Sequence, residues 1–220
     1  MPPLLFLDVD GVLHPTSCLT KETWFRQSCM AELHRVCSRT GCRIILSSTW
    51  RLSIDQVAIL NEQLEAYGIR RLCYNDCTKE IRAIQPETIT RAQEIAQWCM
   101  SNGVVESHDW AVLDDLRMEP TWGFNHSNGT PSHWCSFLEH HFVRTSSDYG
   151  LTRADADRVI SLLIKEPQAG STGCAVSSVF SDRTEGDSKS LYCAHWVASL
   201  RVTATSASAV RATCEVAPRY

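Results

Sequence analysis

The apolar residues of this chain fall into short unbroken runs separated by stretches of helical spacing. Leu4-Leu5-Phe6-Leu7 is the first run, closed by Asp8-Val9-Asp10-Gly11. A run without polar alternation predicts a strand buried on both faces, as in a parallel sheet. From about Thr23 to Arg39 the spacing turns helical: Trp24, Met30, Leu33 and Val36 share much of one face, and Gly41 is the stop. Cys42 to Leu46 predicts the second strand, leading into Ser47-Ser48-Thr49-Trp50-Arg51. Ser53 is the predicted N-cap of a helix over 54–67, stopped by Gly68. A further strand is predicted over 71–74, and Thr90 as the cap of a helix over 91–100. Trp110-Ala111-Val112-Leu113 predicts the next strand, ending in Asp114-Asp115. Residues 142–144 predict a last strand, followed by a helix from Thr152 to about Lys165.

Strands alternating with helices predict right-handed βαβ units. The expected fold is a Rossmann-like α/β three-layer sandwich with a mostly parallel central sheet. The spans between Leu13 and Thr23 and between Arg51 and Arg91 are too short for a full cap domain. Open α/β sheets place ligands outside the carboxyl ends of their strands. Asp8, Asp10, Ser47, Asp114 and Asp115 are therefore expected to converge. Periodicity fades after Pro167, where Ser, Thr, Ala and Gly dominate. The expected organisation is one domain over 1–166 and a low-complexity, disordered tail over 167–220.

Composition narrows the class. The net charge of -4, from 21 basic and 25 acidic residues, excludes strong electrostatic attraction to nucleic acid or membrane over the whole surface. It leaves room for a local basic groove. The 11 cysteines include no CxxC pair and no zinc spacing, which suits reduced thiols in a cytoplasmic protein. The first apolar run is too short for a signal peptide, and no run is long enough to cross a bilayer. His126, His133, His140 and His141 lie near one another without metal spacing, in a segment over 116–141 that reads as a loop over the pocket.

The chemistry concentrates in the Asp-x-Asp pair. Residues i and i+2 of a strand face one side, so Asp8 and Asp10 are expected to address one pocket. Carboxylates that close repel unless a cation or proton intervenes. Magnesium, with its preference for hard oxygen ligands and phosphate, meets that need, and Asp114 and Asp115 add ligands from another strand end. Ser47 can donate its hydroxyl to a phosphate oxygen, with the N–H groups of Ser48 and Thr49 beside it. Arg51 can bind a phosphate or make a salt bridge; His14 can contact substrate or pack in the turn.

These motifs resemble those of the haloacid dehalogenase-like (HAD) phosphohydrolase superfamily. Asp8-Val9-Asp10-Gly11-Val12-Leu13 matches its first motif, Ser47 its second and Asp114-Asp115 its fourth. More narrowly, the chain resembles the HAD domain associated with Swiss Army Knife RNA repair proteins. That likeness is carried by 6–15, 46–51, Arg91 with Glu94-Ile95 and Trp98, and 110–115, and it covers about residues 3–165. The resemblance implies an aspartyl-phosphate formed on Asp8, with Asp10 as acid and base. It implies magnesium held by Asp8, the backbone carbonyl of Asp10 and Asp114, with Asp115 either a further ligand or directly behind them. The superfamily's third motif is a lysine, absent at the matching place; Arg91 is the candidate in its stead, with Lys79 and Arg82 as alternatives. The substrate is expected to be a phosphomonoester, with a nucleotide or nucleic-acid end among the candidates. Two rivals stand beside this reading: an inactive HAD-fold binding module, and an accessory factor in nucleic-acid repair.

Overall fold

The computed structural model describes residues 1–73, 75–81, 87–104, 108–118 and 133–164. The expected tail over 167–220 lies outside the described residues. Four parallel strands form one sheet in the order β2-β1-β3-β4: β1 (Leu4–Leu7), β2 (Arg43–Leu46), β3 (Trp110–Asp114) and β4 (Phe142–Arg144). β1 lies between β2 and β3, in register Leu7 with Leu46 and Leu7 with Leu113. Every residue of β1 and β3 is buried, as a strand covered on both faces requires.

The two sides of these strands feed two cores. Leu5, Leu7, Ile44, Leu46, Ala111 and Leu113 face α1 (Gln27–Thr40), α2 (Ile54–Ala66) and α5 (Arg153–Leu163). Leu4, Phe6, Ile45, Trp110 and Val112 face α3 (Glu87–Ser101) and α4 (His133–Leu138). The period of two along each strand thus divides the helices between the layers. The result is the expected α/β sandwich, and its sheet is parallel throughout. Between β1 and α1 the chain forms only a short 3-10 turn, Lys21–Thr23, so no cap is inserted there.

Four elements differ from the sequence expectation. α1 starts at Gln27 rather than Thr23, because Phe25 takes a left-handed φ of 57° that breaks the helical path. Trp24 therefore packs ahead of the helix instead of on its face. No strand forms over the described residues 71–73. Their N–H groups go elsewhere: Leu72 donates to Asn61 Oδ1 (2.7 Å) and Cys73 to Asp76 Oδ2 (2.8 Å). The edge of β2 is instead extended by a bridge between Leu46 and Cys77. α3 begins at Glu87, so Thr90 lies inside it and is not its cap. Finally, α4 occupies 133–138, within the segment read as a loop; six residues are too few for periodicity to declare a helix. Ser53 does cap α2, accepting from the Gln56 N–H at 3.4 Å, and Gly41 ends α1 at φ 62°.

Candidate active site

Three strand ends meet at one acidic cluster. Asp8 leaves β1, with its N–H donating to Leu113 O at 3.0 Å, and Asp114 and Asp115 leave β3. One carboxylate oxygen from each of Asp8, Asp114 and Asp115 lies within 4.8 Å of the other two. Asp8 and Asp114 are buried and Asp115 half-buried. The approach depends on Gly11, whose φ is 72°. A Cβ there would stand 2.3 Å from Asp115 Oδ2, so any other residue would push the carboxylate out. Thr145, just past β4, secures this turn: its hydroxyl donates to Gly11 O at 2.8 Å and its N–H to Asp114 O at 3.0 Å.

Arg91 enters the cluster from α3. Its Nη1 lies 2.8 Å from Asp114 Oδ2 and 3.3 Å from Asp8 Oδ1. Burial opposes its charge, yet Asp114, Asp8 and Glu94 hold it firmly cationic. One guanidinium does not balance three carboxylates. Burial, and then the neighbouring Asp8, push Asp114 above the usual carboxylate range; Asp115 is also raised, chiefly by burial. A buried all-oxygen site with excess negative charge fits a hard divalent cation, and Asp8, Asp114 and Asp115 are the residues able to hold one.

Asp10 stands apart from that cluster. His14 Nε2 meets its Oδ1 at 3.0 Å, and Trp50 Nε1 donates to its Oδ2 at 2.9 Å. The His14 bond is the main reason this carboxyl sits below its ordinary range; the Trp50 bond adds to it against burial. His14 is fully buried among Trp24, Phe25 and Trp50, so it packs in the turn while touching the site.

The end of β2 supplies Ser47. Its N–H donates to Leu7 O at 2.9 Å, which seats it beside Asp8, and its hydroxyl is buried with no protein partner. A buried hydroxyl without a partner is costly unless a ligand oxygen completes it. Ser48 Oγ accepts from the Trp50 N–H at 3.4 Å, capping the 3-10 turn Thr49–Leu52. Arg51 folds back over this turn: Nη1 donates to Ser48 O (2.6 Å) and Ser47 O (3.3 Å), and Nη2 pairs with Glu94 at 2.7 Å. Its Nε is buried without a partner.

Each predicted site residue is thus described: the structure brings Asp8, Arg91, Asp114 and Asp115 together and seats Ser47 beside β1, while the carboxylate of Asp10, expected to converge with them, is held by His14 and Trp50 outside the three-acid cluster. Thr145 was missed, since a single Thr after a three-residue strand carries no signal in sequence. Trp50, as a partner of Asp10, was missed because its ring nitrogen reaches across 40 positions. Of the alternatives to Arg91, Lys79 lines a groove with Arg51 and Glu94, and Arg82 lies outside the described residues.

No helix among the described residues is long and apolar enough to cross a membrane. No curated protein and no solved structure matches the chain at a significant level. The family described as the HAD domain in Swiss Army Knife RNA repair proteins matches residues 4–156. That span holds the sheet, the acidic cluster, Ser47 and Arg91, and on it the chain belongs to this HAD family.

Proposed function

We propose that the domain is a magnesium-dependent phosphohydrolase that cleaves a phosphomonoester through an aspartyl-phosphate on Asp8. The observation that carries this reading is the charge imbalance at the strand ends: three converging carboxylates, with Arg91 the guanidinium paired to two of them among the described residues. Asp8 attacks phosphorus, and the bond to the leaving oxygen breaks. Asp10, its carboxylate oriented by His14 and Trp50, delivers a proton to the leaving alcohol and then takes one from the water that hydrolyses the acyl phosphate. A dianionic phosphate beside Asp10 raises its proton affinity, which suits the acid half of that role. Ser47 Oγ, buried without a protein partner, donates to a phosphate oxygen, with the Ser48 and Thr49 N–H groups proposed as further donors. Arg91 compensates the charge of Asp8 and Asp114 where the superfamily carries lysine. Asp8, Asp114, Asp115 and the Asp10 carbonyl would hold magnesium, which when bound would supply positive charge against the phosphate oxygens.

The substrate we favour is a nucleotide or nucleic-acid end, on the strength of the matched family's association with RNA repair. A groove of about 550 Å³ begins at Arg51 and Glu94 and continues past Lys79, Gln97 and Trp98. We place the remainder of the substrate there. Trp98 and Lys79 offer a ring and a charge to a nucleotide, and the Arg51 Nε offers a donor. The eight described cysteines are not joined in disulfides, which fits the cytoplasmic setting proposed for the chain.

The test is a screen of small phosphate esters, 3′- and 5′-phosphorylated oligonucleotides and phosphopeptides with magnesium, with Asp8→Asn as blank. Turnover by the wild type alone is expected, highest on a nucleotide or oligonucleotide. Equal inactivity of both proteins across the panel would favour the binding-module reading instead.

A further inference from the structure

One buried carboxylate next to the site has no part in the chemistry above. Glu94 is 4% exposed and lies on α3 one turn beyond Arg91. Its Oε2 is 2.7 Å from Arg51 Nη2 and 3.9 Å from Arg91 Nε, so the same oxygen addresses both guanidiniums. Its Oε1 accepts the Ile81 N–H at 3.0 Å, which fixes the plane of the carboxylate. Each arginine carries the connection onward with its other arm. Arg51 Nη1 holds the carbonyls of Ser47 and Ser48, and Arg91 Nη1 reaches Asp8 and Asp114. A continuous polar chain therefore runs from the turn after β2, through α3, to the ends of β1 and β3.

The charge at position 94 has a physical reason. Two buried guanidiniums this close repel, and a neutral side chain between them would leave that repulsion uncompensated. Arginine has a long flexible stem, and contacts at one end do not hold its fork still. Glu94 supplies the second anchor for both forks. We infer that Glu94 is a positioning residue: it holds Arg91 against Asp8 and Asp114 and, through Arg51, keeps the Ser47–Ser48 turn in fixed register with them. The inference rests on the phosphohydrolase reading, in which Arg91 and Ser47 must meet one phosphoryl group together. A purely stabilising ion pair has no such requirement and is often replaced at little cost.

The experiment compares wild type, Glu94→Gln and Glu94→Asp as full chains. Turnover of an aryl phosphate with magnesium gives kcat and KM; calorimetry gives the affinities of orthovanadate and inorganic phosphate; a melt gives the thermal midpoint. Glu94→Gln is expected to lower kcat about 10- to 100-fold with KM little changed, the usual range for residues that orient a ligand shell. Orthovanadate, which mimics the transition state, should lose affinity by a similar factor while inorganic phosphate loses little. Glu94→Asp, which keeps the charge at shorter reach, should recover part of both losses. Wild-type kcat and vanadate affinity in folded Glu94→Gln would overturn the inference, as would losses that match its unfolded fraction. If Glu94→Gln does not fold, Arg51→Lys takes its place and must show the same split between kcat and KM. An inactive wild type that still binds vanadate, more tightly than Glu94→Gln, would sink the phosphatase reading and leave the positioning role standing. A wild type that binds neither anion would overturn both.

Discussion

Two buried aspartates, Asp76 against Arg43 of β2 and Asp114 at the end of β3, show what separates a structural ion pair from a candidate reactive site. Asp76, 1% exposed, accepts from Arg43 Nε at 2.7 Å, Arg70 Nη2 at 3.2 Å and the Cys73 N–H at 2.8 Å. Burial alone would raise it, but the Cys73 N–H and the Arg43 guanidinium prevail and hold it below the usual carboxylate range. One acid there faces two cations. At the end of β3 Asp114 shares Arg91 with Asp8, has Asp115 beside it, and is raised instead. The first site is electrostatically complete and the second is short of positive charge. That deficit, rather than burial or acidity, marks the place where a cation and a phosphate belong.

The contrast can be broken most sharply at the nucleophile. Asp8→Asn should remove magnesium-dependent phosphatase turnover by at least about 1,000-fold, as loss of a covalent nucleophile does. Asp76→Asn should leave kcat near wild type; an equal loss at both positions would dissolve the distinction. Arg91→Ala is expected next, lowering kcat about 100-fold or more, because it withdraws the guanidinium that pairs with both Asp8 and Asp114. A smaller loss than that of Arg43→Ala would show that the cluster does not rely on it. Asp10→Asn should slow turnover about 100-fold while inorganic phosphate binds nearly as before; unchanged turnover would remove its acid-base role.

Stability sharpens the comparison with smaller effects. Asp76→Asn should cost about 2 kcal/mol in chemical denaturation, the scale for losing hydrogen bonds to a charged group. Asp114→Asn in chelator should cost nothing or raise the thermal midpoint, since it relieves like-charge repulsion, and it should abolish the rise that magnesium gives the wild type. That rise is about 2.7 kcal/mol at magnesium 100 times its dissociation constant. The two acids also pull stability opposite ways with pH. Asp76, lowered in the fold, contributes stability above its ordinary pKa that is lost as pH falls. Asp114, raised in the fold, contributes on the acid side, and that part is lost as pH rises in chelator. Denaturation of the two asparagine variants across pH reads each slope separately; slopes of the same sign would contradict the assignment.

Much of this was legible without coordinates. The largely apolar runs at 4–7, 42–46 and 110–113 predicted buried parallel strands, because a strand covered on both faces has little polar side to show. Their polar ends named Asp8, Ser47 and Asp114 in advance, because parallel strands necessarily deliver their carboxyl ends to one edge. The helix start near Thr23 and the strand over 71–74 failed for a different reason. Phe25's left-handed turn and the side-chain acceptors Asn61 and Asp76 depend on neighbours distant in sequence or on local strain, and periodicity does not register either.

The sequence by itself therefore determined the layer architecture, the converging acids and the family. The first two follow from period and strand direction, which are local properties of the chain; the family follows from the resemblance of its motif residues and the match over 4–156. Only the tertiary structure decided the partners: Arg91 on Asp8 and Asp114, Trp50 and His14 on Asp10, Thr145 on Gly11, and Glu94 between two arginines. Apart from the local His14 and Arg91–Glu94 spacings, these pairs join residues far apart in the chain. Their contacts exist because packing the two helical layers onto one sheet brings them within hydrogen-bond reach.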